Sequence, residues 1–207
     1  DIADVKLDGD LFALPTGKLN VALLTENSYL HGLVDSGGEA DIYLQNRAKW
    51  INESRNERYY QDIEDVGAGT VAGGKYTPKT HVTHFYGSAE AYKHGIIYQK
   101  DAQALDIDEY SGHTTVVYEH DAATPTVMKG GDIRIKKAEA GSVITLRTDR
   151  TGIGLTITQK INTILEALAN KITYEDWQDN GANLTGRGEI GEDLLLSSQT
   201  LQTGTIN

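Results

Sequence analysis

Five of the six histidines, His81, His84, His94, His113 and His120, fall between residues 81 and 120. Imidazoles gathered in one stretch raise the question of a metal site, because neutral imidazole is the commonest nitrogen ligand of transition ions. Positions three apart in a strand face opposite sides, and Val82, Thr83 and Phe85 are strand formers. The spacing therefore predicts that His81 and His84 do not share an ion, and neither a metal nor a cofactor is expected. Asp106, Asp108 and Glu109 open like a calcium loop. That loop needs an oxygen ligand at its fifth position, glycine at the sixth and glutamate at the twelfth. Tyr110, Ser111 and Val117 stand there instead. What is left is a looser surface calcium site, and Asp8-Gly9-Asp10 invites the same reading.

Catalytic signatures are absent from the sequence. It contains no Gly-x-Ser-x-Gly elbow, no His-Glu-x-x-His, no P-loop and no dinucleotide fingerprint. Carboxylates are too many to pair from sequence alone, although a hydrolase of glycosidic bonds would need only two of them. No catalytic residue is assigned. Eleven tyrosines and two tryptophans against two phenylalanines form the last constellation. Tyrosine offers an apolar face and a hydroxyl, which suits recognition of sugars or proteins. Tyr86, Tyr92, Tyr98, Tyr110 and Tyr118 are the candidate ligand face. The same residues would equally serve to cap cores and strands.

The elements that must carry these residues are mostly strands. The 207 residues contain 22 glycines and only 3 prolines, with many β-branched side chains, the composition of short strands joined by tight turns. Residues 1–66 are a mixed strand and helix region. Its strands are expected at Val5–Leu7, Leu11–Leu14, Leu19–Leu24, Leu30–Val34 and Ile42–Leu44, and a helix from Ala48 onward. A glycine-rich linker spans 67–76. Residues 77–158 read as a β domain. Its strands are expected at Thr80–Tyr86, Gly95–Gln99, Thr114–Glu119, Thr126–Met128, Asp132–Lys137, Ser142–Thr148 and Gly154–Thr158, with a helical turn near Ala102–Leu105. Several short strands with frequent turns predict a small β-sandwich or jelly-roll-like domain.

The formal charge of −11 argues against nucleic acid or an anionic membrane as partner, since both reward Lys and Arg. No stretch approaches the roughly 18 apolar residues of a bilayer span, so membrane insertion is not expected. Without cysteine, disulfides, thiol catalysis and thiolate zinc sites are excluded.

Residues 159–180 form a helical connector. Ile157, Ile161, Ile164, Leu168 and Ile172 recur at spacings of three or four, on one helix face. Isoleucine at both seam positions of a short coiled coil favours three or four chains over two. The same stripe also fits one helix packed on its own domain. Residues 181–207 alternate glycines and small polar residues with short aliphatic runs: Leu184, Ile190, Leu194–Leu196, Leu201 and Ile206. Runs this short are stable where several chains cover one another's edges. The ending Thr203-Gly204-Thr205-Ile206-Asn207, after Gly191 to Leu196, resembles the shaft repeats of bacteriophage fibres and tail spikes. A loose echo lies between Asp10 and Asn20.

The expected architecture is therefore mainly β: a sandwich or jelly-roll-like domain, a short coiled-coil helix and a C-terminal intertwined β stalk. The resemblance implies a structural, non-enzymatic virion protein, a homotrimeric phage fibre or spike component that mediates attachment or assembly. Its partners would be itself, other virion proteins and a host surface glycan or protein. The alternative is a monomeric extracellular carbohydrate-binding or adhesion module. A glycan hydrolase carried on a fibre is the remaining class.

Overall fold

A computed structural model describes residues 2–55, 69–73, 75–121, 123–124, 127–148, 166–174, 191–196 and 201–203. The chain is mainly β, and it winds rather than folding back on itself. The first coil carries β1 (Lys6–Asp8), β2 (Leu11–Ala13) and β3 (Lys18–Leu23); the second carries β4 (Tyr29–His31), β5 (Val34–Ser36) and β6 (Glu39–Leu44). In the third, β7 (Lys49–Asn52) and β10 (Thr80–Tyr86) are separated by a hairpin, β8 (Thr70–Ala72) and β9 (Lys75–Thr77). The later coils are β11 (Gly95–Gln99) with β12 (Leu105–Ser111), β13 (His113–Tyr118) with β14 (Ile133–Ala138), and β15 (Ser142–Thr148) with β16 (Ile172–Tyr174). Each strand pairs in parallel with its counterpart one coil away. The result is two long sheets, which we call the first, β1-β4-β7-β11-β13-β15, and the second, β3-β6-β10-β12-β14-β16. A two-stranded sheet, β2-β5, lies between them in the first two coils. β17 (Gly191–Leu196) and β18 (Leu201–Thr203) extend the first sheet antiparallel at its far edge.

This is a parallel β-solenoid, and it corrects the expectation of a sandwich. Alternation of apolar and polar residues is common to any half-buried strand. What separates the two folds is the register between strands, which pairs Gly95 with Thr114 but Lys49 with Ile96. Coils of such unequal length leave no constant period in the sequence. The strand positions themselves were largely legible: β10, β11 and β15 have the expected bounds, and β13 and β14 are shifted by one residue. Leu30–Val34, expected as one strand, is two, β4 and β5, split at Gly32-Leu33. The helix expected from Ala48 is a strand over β7, and residues 56–68 lie outside the described ones. Bends replace the expected turn of helix before β12. Of Thr126–Met128, Met128 makes only an isolated bridge to His120.

The core is a stack of columns. In the first sheet Leu30, Trp50, Ile97, Val116 and Leu146 lie in register and buried; in the second Val21, Ile42, Phe85, Tyr110 and Ala138 do the same. Trp50 and Phe85 face each other with ring centroids 6.3 Å apart, and Phe85 stacks on Tyr110 at 5.5 Å. Burying one such side chain contributes roughly 1.5–3 kcal/mol. Asn52 and Gln99, in register and buried, join their amides across coils, Asn52 Nδ2 donating to Gln99 Oε1 at 2.8 Å. The hairpin is fastened by Tyr76, whose hydroxyl donates to the buried Asp35.

The second sheet turns a corner within its strands. Val82, Phe85, Ile107, Tyr110, Ile135 and Ala138 are buried, whereas the two residues between each buried pair are not. Two consecutive outward residues at the same level in three coils break the period of two and bend the sheet there. Gly112 makes the tightest connection, alone between β12 and β13. Its φ of +80° suits glycine, and a Cβ would come within 2.7 Å of the Gly87 carbonyl.

Candidate functional site

The corner decides where the chemistry sits. It lets His81 and His84 both point outward, which simple alternation does not allow, and it puts them on different sides of the bend. Before the bend, His81 Nε2 lies 2.9 Å from Asp108 Oδ2, and its Nδ1 lies 2.9 Å from the Ser36 carbonyl. After the bend, His84 Nδ1 lies 2.6 Å from Asp41 Oδ1 and its Nε2 lies 3.6 Å from Glu109 Oε2. Asp41, His84, Glu109 and Lys137 are direct cross-strand neighbours on β6, β10, β12 and β14. Lys18, from β3, reaches Glu39 Oε1 at 2.7 Å and Asp41 Oδ2 at 3.6 Å. The Glu39 hydrogen bond holds the Lys18 ammonium above the ordinary lysine range.

Beside this row runs an aromatic one. Tyr43 and Tyr86 are in register, and their rings stack at 4.4 Å with planes 14° apart; the His84 ring lies 6.1 Å from that of Tyr86. Burial and the nearby Asp41 carboxylate push the Tyr86 hydroxyl up from its usual range, so it is a neutral donor at physiological pH. A groove of about 300 Å³ opens here, lined by His84, Tyr86, Glu109, Ser111, Lys137 and Glu139. It combines a ring face, three carboxylate or hydroxyl groups and an ammonium. That mixture fits a polyhydroxylated ligand with alternating C–H and O–H faces.

The five candidate tyrosines do not form one face. Tyr110 and Tyr118 are core residues, 2 % and 0 % exposed, whose hydroxyls donate to the carbonyls of Val143 and Gly131. Burial pushes both well above the ordinary tyrosine range. Tyr98 sits on the outer face of the first sheet between Ile51 and Val117. Tyr92, 69 % exposed, belongs to a 3-10 turn at Ala91–Lys93. Of the five, Tyr86 and the buried Tyr110 line the groove, and Tyr43, the ring stacked on Tyr86, is not among the residues the sequence singled out. Alternation from Ile42 to Leu44 already marked Asp41 and Tyr43 as outward. Which strand lay beside them was not readable.

The surface calcium readings fail on charge. Asp106 is held by Arg134 Nη2 at 2.9 Å and Lys79 Nζ at 2.8 Å. Burial opposes ionisation of Asp108, yet its bonds to His81 and Lys136 outweigh that and hold its carboxyl below the usual range. Asp8 pairs with Arg55 at 2.8 Å, and Asp10 accepts from the Leu33 amide. These oxygens are already committed to basic or N–H groups.

Of the five seam residues, Ile157, Ile161 and Ile164 lie outside the described residues. Leu168, on a helical turn at 166–169, and Ile172, in β16 opposite Ile133, are buried in the chain's own core. Among the described residues, the echo between residues 10–20 and the C-terminal repeats has no structural counterpart: β2 is parallel to its neighbour, whereas β17 and β18 are antiparallel. Comparison with protein-family models, with curated proteins and with solved structures finds no match to this chain.

Proposed function

We propose that this chain is an adhesive β-solenoid module that binds surface glycan along the outer face of its second sheet. The observation that carries this reading is the Tyr43–Tyr86 stack, an aromatic pair placed outside the core and bordering a polar groove. Rings that served packing alone would lie in the inner columns, as Phe85 and Tyr110 do. A sugar ring laid on Tyr86 meets Glu109, Ser111, Lys137 and Glu139 as hydrogen-bonding groups. Strands rather than loops hold most of these side chains, so little ordering is needed on binding. The role is recognition, not turnover. A glycan array probed with the whole chain and with Tyr43→Ala tests it. Binding of a defined set of glycans, weakened about tenfold or more in the variant, is expected; an array on which the whole chain binds nothing would overturn the reading.

A second reading keeps the virion setting, with the solenoid as the shaft of a homotrimeric fibre or spike. Six stacked coils, spaced about 4.8 Å apart, make a continuous hydrogen-bonded rod segment, the form a shaft requires. Because Leu168 and Ile172 face the chain's own core, a three-fold seam would rest on Ile157, Ile161 and Ile164. Light scattering after size exclusion separates the readings: a mass three times 22.6 kDa supports the fibre, and a monomer supports the single-chain adhesion module.

A further inference from the structure

The outer charges of the second sheet alternate from coil to coil. Lys18 on β3 is followed by Glu39 and Asp41 on β6, and Asp106, Asp108 and Glu109 on β12 by Arg134, Lys136 and Lys137 on β14. Between the two acidic strands, β10 contributes His81 and His84 where the alternation calls for cations. After the bend the excess of carboxylate is concentrated on one imidazole, with Asp41 on one side and Glu109 on the other.

We infer that Glu39, Asp41 and His84 form a binding site for one divalent transition-metal ion of the zinc or nickel type. One ligand atom from each of the three lies within 4.8 Å of the others. Two ligands about 2.0–2.2 Å from an ion are separated by no more than about 4.4 Å. Ligands of a tetrahedral ion lie about 3.3–3.6 Å apart, whereas His84 Nδ1 stands 2.6 Å from Asp41 Oδ1 and 4.0 Å from Glu39 Oε1, so side-chain rotations that shift these atoms by up to roughly an ångström close the set. Asp41 and His84 are locked opposite each other in a parallel ladder, and Glu39 lies two residues along on the same face as Asp41. Asp41 is only 7 % exposed. One imidazole with two carboxylates selects zinc, nickel, cobalt or manganese over calcium and magnesium, which favour all-oxygen sets.

Two further features bear on an ion. Glu109 Oε2 stands 3.6 Å from Nε2 of His84, just beyond hydrogen-bond reach, and closing that gap would let an outer carboxylate orient the ligating histidine and leave Nδ1 to the metal. Lys18 places its ammonium against both Glu39 and Asp41 and competes with an ion for them. The Lys18 side chain is 53 % exposed and can return to water when a divalent ion takes its place. The ion accepts the Nδ1 lone pair and one oxygen from each carboxylate; a proton held between Nδ1 and Asp41 goes to solvent. No bond is broken and no oxidant is required. The charged or titratable groups facing His84 are Lys18, Glu39, Asp41, Glu109 and, one strand further, Lys137, with Tyr43 and Tyr86 alongside.

This site shares His84 and Glu109 with the glycan groove but does not rest on the glycan reading, and it is tested without glycan. The whole untagged chain, stripped with chelator and dialysed, is titrated calorimetrically with zinc chloride. One ion per chain is expected. His84→Ala should abolish the event, Glu109→Gln should weaken it about tenfold or more, and Lys18→Met should tighten it. His81→Ala, on the other side of the bend, should leave it unchanged. Absence of a one-to-one event in the intact chain would overturn the proposal. So would an event that Glu109→Gln and Lys18→Met both leave unchanged, and those two exposed positions settle the matter even where His84→Ala fails to fold.

Discussion

Inside the coil, the first sheet stacks Leu30, Trp50, Ile97, Val116 and Leu146, and the second stacks Val21, Ile42, Phe85, Tyr110 and Ala138. Outside, the first sheet shows Tyr29, Ile51, Ile96, Tyr98, Val117 and Val143, with Lys6, Asp8, Lys49 and Arg147 scattered among them. The second shows Lys18, Glu39, Asp41, His84, Glu109 and Lys137 beside the Tyr43–Tyr86 pair. The two inner faces do the same work with similar side chains, so stability does not require the outer faces to differ. Ion pairs between exposed groups contribute about 0–1 kcal/mol each, too little to explain a whole face of them. The contiguous charged row and the stacked tyrosines of the second sheet are what the proposed recognition role rests on.

The largest effect should come from the interior. Trp50→Ala empties a site that contacts both sheets, and its cost is expected at about 3–5 kcal/mol in a urea titration. A loss below about 1 kcal/mol would mean that the two inner columns do not share one core. Gly112→Val strikes the one-residue connection between the sheets. It adds left-handed strain, roughly 1–3 kcal/mol, to a steric conflict with Gly87, and a thermal melt should show it.

Alkaline titration separates inside from outside. Burial raises the folded-state pKa of Tyr110 and Tyr118 above the unfolded value of about 10. Their contribution is therefore complete below pH 10 and is lost as pH rises beyond it, because the unfolded chain releases those protons first. Absorbance at tyrosinate wavelengths should rise in a cooperative step, together with loss of strand signal in circular dichroism, as Tyr110 and Tyr118 are exposed. A single non-cooperative rise would contradict the burial. The smallest stability effect is on the outer ladder: Arg134→Ala should cost less than about 1 kcal/mol, since Asp106 keeps Lys79. A larger loss would make the charged face a structural device.

The strands were legible because each residue's choice of face is written locally. Ile133 and Ile135 against Arg134 and Lys136 state an inner and an outer side without reference to any partner. The coil was not legible because Asp41 and His84, or Tyr43 and Tyr86, become neighbours only through register, and a hairpin-bearing third coil hides the spacing. The short acidic run of Asp106, Asp108 and Glu109 resembled a loop because charge was read before the buried Leu105, Ile107 and Tyr110 that make it a strand. Tyr110 and Tyr118 were read as a ligand face because a tyrosine's type does not reveal which face of a strand it occupies.

The most direct measurement is the affinity of the whole chain, of Tyr86→Ala and of Tyr98→Ala for a glycan selected on the array. The two tyrosines lie on the outer faces of opposite sheets, so each variant controls for the other. The account predicts that Tyr86→Ala loses about tenfold or more while Tyr98→Ala binds as the parent does, both melting within a few degrees of it. Equal affinity in the parent and Tyr86→Ala, or a loss confined to Tyr98→Ala, would contradict the assignment of recognition to the second sheet.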